Sequence, residues 1–478
     1  MRFRRASAKL LAASFIAAAG VLAVPDEMRP VALPMAVGAL IAVGFFTILS
    51  ARSKTAPIAE IGTTFVAAVT VYLVVPLAVY MALGGTYTIV NDNRLLQIQP
   101  SPSEVAGVGW LYVAFLGSFA AVYLLVRGRA EPSRIGVRVV SRDRLAIMAA
   151  LYLVFSLLTF MIVAPLASDS YEGGYAAVAA LPLAMRQFMK LWEGWSILLT
   201  MGLRIWLFQD FARRKWIIAA WLLYDLILAA SSLGSRTGAA ISLVSSVLLY
   251  HLLVRPVRVR TALAGAFVGL AGFLALGVAR AYGGVGALGQ GSSGIAGGEF
   301  ESLFGNVIDL QHRLASGEVG SLPLGFHLAD ILAPFPSQIL PFEKYDPSVW
   351  YMNTFFPEAA ERGGGLAFGV IAQSVVGLGW IELVLRGVVL GYAFATLHRY
   401  FSRHSGRFWA LVMYVWMTMW CYQSFRNQSF ILLTYILQWF LPLVLVVEVG
   451  VRILRDGGAR SLASTHPVIA PVPTEESR

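Results

Sequence analysis

Charge is scarce in this chain. Only 13% of the residues are Asp, Glu, Lys or Arg, and 58% are hydrophobic. A soluble domain carries about a quarter charged residues, so a water-soluble globular chain is excluded. Cysteine is scarcer still. Cys421 is the single one, and it lies inside an apolar run, which rules out an internal disulfide and any cysteine-built metal site. Catalytic signatures are also missing. There is no Asp-x-Asp pair for a divalent cation and no His/Cys/Glu cluster with ligand spacing. There is no Walker-type loop and no Gly-x-Ser-x-Gly elbow. Neither a metal nor another cofactor is expected. Acidic residues are outnumbered, 26 against 37 lysines and arginines, leaving a net charge of +11. The basic clusters fall between apolar runs, as in cytoplasmic membrane loops, and do not point to nucleic acid.

What remains is apolar sequence in pieces of membrane length. About twelve spans can be drawn, near 10–24, 31–49, 61–83, 104–126, 145–166, 186–208, 216–233, 237–253, 261–279, 381–397, 408–425 and 430–449. Lipid offers the backbone no hydrogen bonds, so such spans are helices. The expectation is an all-α polytopic membrane protein. The opening MRFRRASAKLLAASFIAAAGVLAV reads as an uncleaved first helix that also targets the chain. With a cytoplasmic N-terminus, about two thirds of the 37 cations fall on the inner side, which also puts the C-terminus inside. Spans one to nine occupy 1–279, a large extracytoplasmic loop 280–380, the last three spans 381–455, and a disordered cytoplasmic tail 456–478. The loop opens with the flexible stretch GGVGALGQGSSGIAGG. Phe300, Leu303, Phe304, Val307 and Leu310 follow at helical spacing, then a proline-rich aromatic part. No internal repeat of the two-halved transporter kind is visible.

The outward cations carry the functional reading. SSLGSRTGAAISL puts Arg236 at the outer turn between two spans, and Arg426 occupies another short outer turn, SFRNQS. Arg280 follows the ninth span, and Arg313 follows His312 in the loop. An ionisable group at membrane depth usually has a partner and a job. Guanidinium is always charged, and its planar fork of donors matches phosphate oxygens. Together these arginines suggest an anion-binding mouth on the outer face. Among the outer titratable residues (His312, His327, Glu299, Glu301, Asp309 and Asp330), His312 is the favoured proton acceptor, because imidazole exchanges a proton near neutral pH.

Three stretches bear a family resemblance. SSLGSRTGAAISLV is similar to a Gly-Ser-Arg-Gly turn between spans, with Thr237 before Gly238. LPLGFHLADILAPFPSQILPFEKYDPSVW resembles a Gly-aromatic segment running into a proline-rich stretch that ends near a lysine. GGGLAFGVIAQSVVGLGWIELVLRGVVLGYAFATLHRYF resembles a glycine-rich approach, a Glu-containing segment and a late span. The chain so resembles the O-antigen or oligosaccharide repeat-unit polymerases (Wzy-type) over roughly residues 215–450. It departs from them at Gln373, where a Glu is usual, and at Gly377-Leu378-Gly379, where Asn-Phe-Gly is common.

The resemblance implies a GT-C-like glycosyltransferase architecture in the bacterial inner membrane. It implies transfer of a growing glycan from polyprenyl pyrophosphate to a new lipid-linked repeat unit, metal-independent, with a chain-length regulator as partner besides the lipid-linked glycans and membrane lipid. Arg236, His312 and Arg313 are the expected catalytic residues. Arg280, Arg426, His327 and Gln373 are expected to hold pyrophosphate and glycan. Removing one donor to the leaving group should cost about 10²–10³ in rate. A ligase-type enzyme would share this architecture, and a twelve-helix transporter is the alternative outside catalysis.

Overall fold

The computed structural model describes residues 2–52, 57–85, 89–90, 97–128, 140–163, 181–230, 236–262, 264–266, 268–269, 299–320, 322–335, 340, 344–361 and 367–464. Among the described residues the regular structure is helical apart from a two-residue antiparallel pairing, Ile89–Val90 with Gln97–Ile98. The first half holds α1 (Arg2–Ala23), α2 (Arg29–Arg52), α3 (Ile61–Ala82), α4 (Pro102–Arg127), α5 (Arg142–Val163), α6 (Leu183–Gln209), α7 (Phe211–Ala230) and α8 (Arg236–Leu249), the last extended by a π-turn over Tyr250–Val254. Then come α9 (Glu299–Ser316), α10 (Leu324–His327), α11 (Ala329–Leu332), α12 (Pro347–Phe355), α13 (Pro357–Glu361) and α14 (Gly369–Val375). The chain closes with α15 (Trp380–His404), α16 (Phe408–Trp420), α17 (Gln423–Arg426), α18 (Ile431–Tyr435), a π-turn (Ile436–Phe440) and α19 (Leu441–Ser464).

Among the described residues six helices are long and apolar enough to cross a membrane: Asp26–Arg52, Ile61–Ala82, Pro102–Arg127, Arg142–Ile162, Trp380–His404 and Ile431–Asp456. Leu10–Ala23, Ile241–Val254 and Phe408–Trp420 are shorter apolar helices. α6, interrupted by Arg186, Lys190, Glu193 and Arg204, is not among the six. Most of the span drawn at 261–279 lies outside the described residues.

Local chemistry explains where helices start and how they pack. Ser101 caps α4 through a capping box with Glu104, and Pro102 occupies the first turn, where its missing N–H costs nothing. α4 and α15 form the most extensive helix pair. Gly387 and Gly391 lie four residues apart on the α15 face that meets α4. A Cβ on Gly387 would fall 2.0 Å from Ser118 Oγ and 2.8 Å from the Phe115 carbonyl, and one on Gly391 would fall 2.7 Å from the Phe119 carbonyl. Small residues at that spacing let two backbones touch where no hydrophobic effect drives them together.

One end of this pair is fastened by a buried ion pair. Glu60 precedes α3 and Arg127 ends α4. Arg127 Nε donates to Glu60 Oε2 at 2.9 Å, and Nη2 donates to Oε1. Tyr123 donates to the same carboxylate at 3.3 Å. The Tyr414 hydroxyl accepts the Ile61 N–H at 3.2 Å and shares a 2.7 Å hydrogen bond with His398 Nδ1. These contacts join α3, α4, α15 and α16.

The segment 280–380 does not lie wholly on top of the bundle as a loop. Phe300 through Leu310 of α9 are buried on every side. Phe300 packs on Tyr72 at 4.8 Å and Phe304 on Tyr112 at 5.7 Å. Tyr72 lies about 16 Å along α3 from Ile61, so α9 reaches halfway down the spans. Periodicity located this helix, but the interior position of its polar face depends on chain that is distant in sequence. Of the tail drawn at 456–478, residues 465–478 lie outside the described residues. α19 continues to Ser464, because a helix already nucleated by buried Leu443, Val447 and Val451 propagates cheaply.

Candidate functional site

Arg386 sits two turns into α15, beside the glycine face that meets the middle of α4. A guanidinium at that depth needs partners, and it has several. Its Nε and Nη2 donate to Glu382 Oε1 at 2.9 and 2.7 Å. Its Nη1 donates to Ser429 Oγ at 2.7 Å and to Asp330 Oδ2. Asp330, delivered by α11, also accepts the Ser429 N–H at 3.1 Å. With its amide oriented to satisfy both neighbours, Gln373 of α14 donates to Asp330 Oδ1 at 3.2 Å and accepts from Arg386 Nη2 at 3.1 Å. The second Glu382 oxygen accepts the Leu378 N–H at 3.0 Å.

His327 completes the cluster from the end of α10. Its Nδ1 stands 3.6 Å from Glu382 Oε2 and makes no hydrogen bond among the described residues. The side chains of Arg386, Asp330 and Glu382 are 10%, 2% and 11% exposed and that of His327 20%, which makes the imidazole the most open member. Gly377 permits the approach. A Cβ there would lie 2.0 Å from Glu382 Oε2 and 2.9 Å from His327 Nδ1. Two carboxylates therefore face one guanidinium, with the imidazole beside one of them.

A second polar group occupies the far end of α9. His312 Nε2 lies 2.5 Å from Glu104 Oε1. Arg313 is committed elsewhere: Nε donates to Asp309 at 2.8 Å, Nη1 donates to Glu318 at 2.7 Å, and the guanidinium stands over the Phe355 ring at 4.1 Å. Tyr351 donates to Asp309 at 2.6 Å. Burial, then the neighbouring Asp309 charge, push the Tyr351 hydroxyl far above its usual range, so it stays a protonated donor.

The structure therefore unites two of the seven residues singled out in the sequence, His327 and Gln373. His312 and Arg313 are adjacent in sequence but serve different partners. Arg426 ends α17, where the Phe425 and Arg426 carbonyls flank Gly369. Arg236 is the first residue of α8; its side chain and all of Arg280 lie outside the described residues. Sequence reasoning passed over Glu382, Arg386 and Ser429. The available signal was a carboxylate and an arginine four residues apart inside an apolar span. Among the described residues no three or more His, Cys, Asp or Glu side chains gather as a metal cage. Comparison with protein-family models, with curated proteins and with solved structures gave no match.

Proposed function

We propose that the chain polymerises polyprenyl-pyrophosphate-linked oligosaccharide repeat units into a surface polysaccharide, as a twelve-span, GT-C-like glycosyltransferase of the bacterial inner membrane. One observation supports this above all. Two of the three stretches that carry the family resemblance, separated in sequence, meet at one buried cluster: His327 and Asp330 from one, Gln373, Glu382 and Arg386 from the other.

The chemistry follows from the cluster's charge. An acceptor hydroxyl attacks the anomeric carbon of the donor glycan. The carbon–oxygen bond to pyrophosphate breaks, and its electron pair leaves with the phosphate. The acceptor proton needs a base, and His327 is the loosely held group in an otherwise saturated network. Glu382, fixed by Arg386 and the Leu378 N–H, stabilises the imidazolium that forms. Arg386 is neutralised by two carboxylates and does not serve the leaving group. That role falls to Arg236, Arg280 and Arg426, which would hold the developing charge as an oxyanion hole does. His312, already on Glu104, is the weaker base.

The test is full-length protein in liposomes with purified lipid-linked repeat unit and no energy source. The proposal expects a ladder of chain lengths. Movement of the repeat unit across the bilayer without growth would favour a transporter. Transfer of finished chains to a different acceptor, without a ladder, would favour a ligase.

A further inference from the structure

At one end of the bundle α5, α6, α16 and α19 come together. Gly202 of α6 faces Met148 of α5 and Phe408 of α16. The arginines that fasten α5 to α19 each meet a carboxylate: Arg144 Nε donates to Glu448 at 2.8 Å, and Arg455 Nε donates to Asp143 at 3.3 Å. Two turns at the same end are different. The α6–α7 junction carries Arg213, Arg214 and Lys215, and the chain after α8 carries Arg255, Arg258 and Arg260. Over 210–217 and 250–260 the single acid is Asp210. Among the described residues none of these six cations has a carboxylate within ion-pair distance. Like charges on one surface repel within a Debye length of about 8–10 Å, so the arrangement calls for an anion.

The two turns are shaped and joined by their own contacts. The Phe211 ring meets the Tyr250 ring edge-on at 5.2 Å, which sets the start of one turn against the start of the other. The Asp210 carbonyl accepts the Arg213 and Arg214 N–H groups at 3.2 and 3.1 Å. In the second turn the Tyr250 carbonyl accepts the Arg255 N–H at 2.9 Å, and Nδ1 of buried His251 accepts the Val257 N–H at 3.1 Å. One guanidinium is fixed in place: Arg214 Nη1 donates to the Trp206 carbonyl at 2.6 Å and the group lies 3.7 Å over the Trp206 ring. Arg213, Lys215, Arg255, Arg258 and Arg260 are exposed. Apolar side chains border them. Trp216 is 76% exposed with the Lys215 ammonium 5.6 Å from its ring, and Ile217 and Val254 are exposed as well. An exposed Trp beside cations at a helix end belongs at headgroup level.

We infer that these two turns form a seat for an anionic phospholipid of the surrounding membrane, one whose headgroup carries two phosphates. Guanidinium forks match phosphate oxygens, and basic sites between membrane helices take such headgroups. Each turn supplies three cations, enough for one phosphate apiece. The apolar border selects a ligand whose phosphates continue into acyl chains: Trp216, Ile217 and Val254 offer the chains a surface that a free phosphate would leave unused. The seat does not depend on the polymerase reading.

The test is lipid binding by the full chain, purified in a neutral detergent and stripped of lipid, with bound lipid counted by native mass spectrometry. Diphosphatidylglycerol should bind more tightly than phosphatidylcholine, and more tightly than phosphatidylglycerol at equal phosphate concentration. Replacing Arg213, Lys215 and Arg258 together by Gln should raise the Kd for diphosphatidylglycerol about a hundredfold. The control removes the same charge from the exposed α15–α16 turn, as Arg399→Gln, Arg403→Gln and Arg407→Gln, and should raise it less than about tenfold. The replaced side chains are exposed, so both variants should unfold at the parent's midpoint without lipid, which is measured alongside. Equal weakening in the two variants would reduce the seat to diffuse surface charge and overturn it, as would equal affinity of the parent for diphosphatidylglycerol and phosphatidylcholine. Equal binding of phosphatidylglycerol would overturn the two-phosphate assignment. Displacement of the lipid by inorganic pyrophosphate at matched concentration would overturn the lipid as occupant.

Discussion

Two buried charge clusters hang on the same helix, α15, and they are built differently. His398 belongs to the Glu60–Arg127 cluster and Arg386 to the other, about 18 Å apart along the helix axis. The Glu60–Arg127 pair is joined by residues of the transmembrane-length helices α3, α4 and α15 and of the shorter α16, and its charges cancel. The Arg386 cluster joins Glu382 and Arg386 of α15 to side chains from the short helices α10, α11 and α14, and it sets two carboxylates against one guanidinium with an imidazole 3.6 Å from one of them. A balanced cluster fastens helices. An unbalanced one beside an imidazole that makes no hydrogen bond at Nδ1 among the described residues is where the proposed function places its base. On the proposed function the chemistry belongs beside Arg386, and the other cluster serves stability.

The sharpest way to break the comparison is to strip each arginine. Arg127→Ala leaves the Glu60 carboxylate buried without its main partner and should cost about 3–5 kcal/mol of stability. Thermal unfolding in detergent measures this. Arg127→Lys should recover part of the loss with chain growth per folded molecule unchanged. Arg386→Ala should destabilise by a similar amount and also abolish growth, because Asp330 and Glu382 would then repel each other. Equal loss of growth per folded molecule in both alanine variants would erase the distinction. Next in size is His327→Gln, which should lower the chain-growth rate by about 10²–10⁴-fold with the unfolding midpoint nearly unmoved. Gly391→Ala drives a Cβ against the Phe119 carbonyl and should cost about 1–3 kcal/mol, seen as a lower midpoint with intact growth. The smallest effect belongs to Tyr351→Phe. It removes one hydrogen bond to Asp309 and should cost about 1 kcal/mol by the same unfolding assay.

The fold was legible because membrane length and apolar run coincide: α2, α3, α4 and α15 lie where spans of about twenty residues were drawn. α9 was legible as a helix from Phe300 to Leu310 but not as an interior one, since its neighbours Tyr72 and Tyr112 are about two hundred residues away. The site was legible only in part. His327 and Gln373 stood out as polar residues in the motif stretches. Arg386 and Glu382 were read past because they fall where an apolar span begins, and their partner Asp330 comes from a different segment. Pairing between distant segments leaves no periodic trace. The same holds for Glu60 and Arg127, which mark the ends of two helices in sequence and meet only in space.

The most direct measurement compares His327→Gln with His398→Gln in liposomes at matched amounts of folded protein, reading chain length on a gel. The account predicts a ladder for His398→Gln and single repeat units for His327→Gln. Equal ladders from both, or loss of the ladder only in His398→Gln, would contradict it.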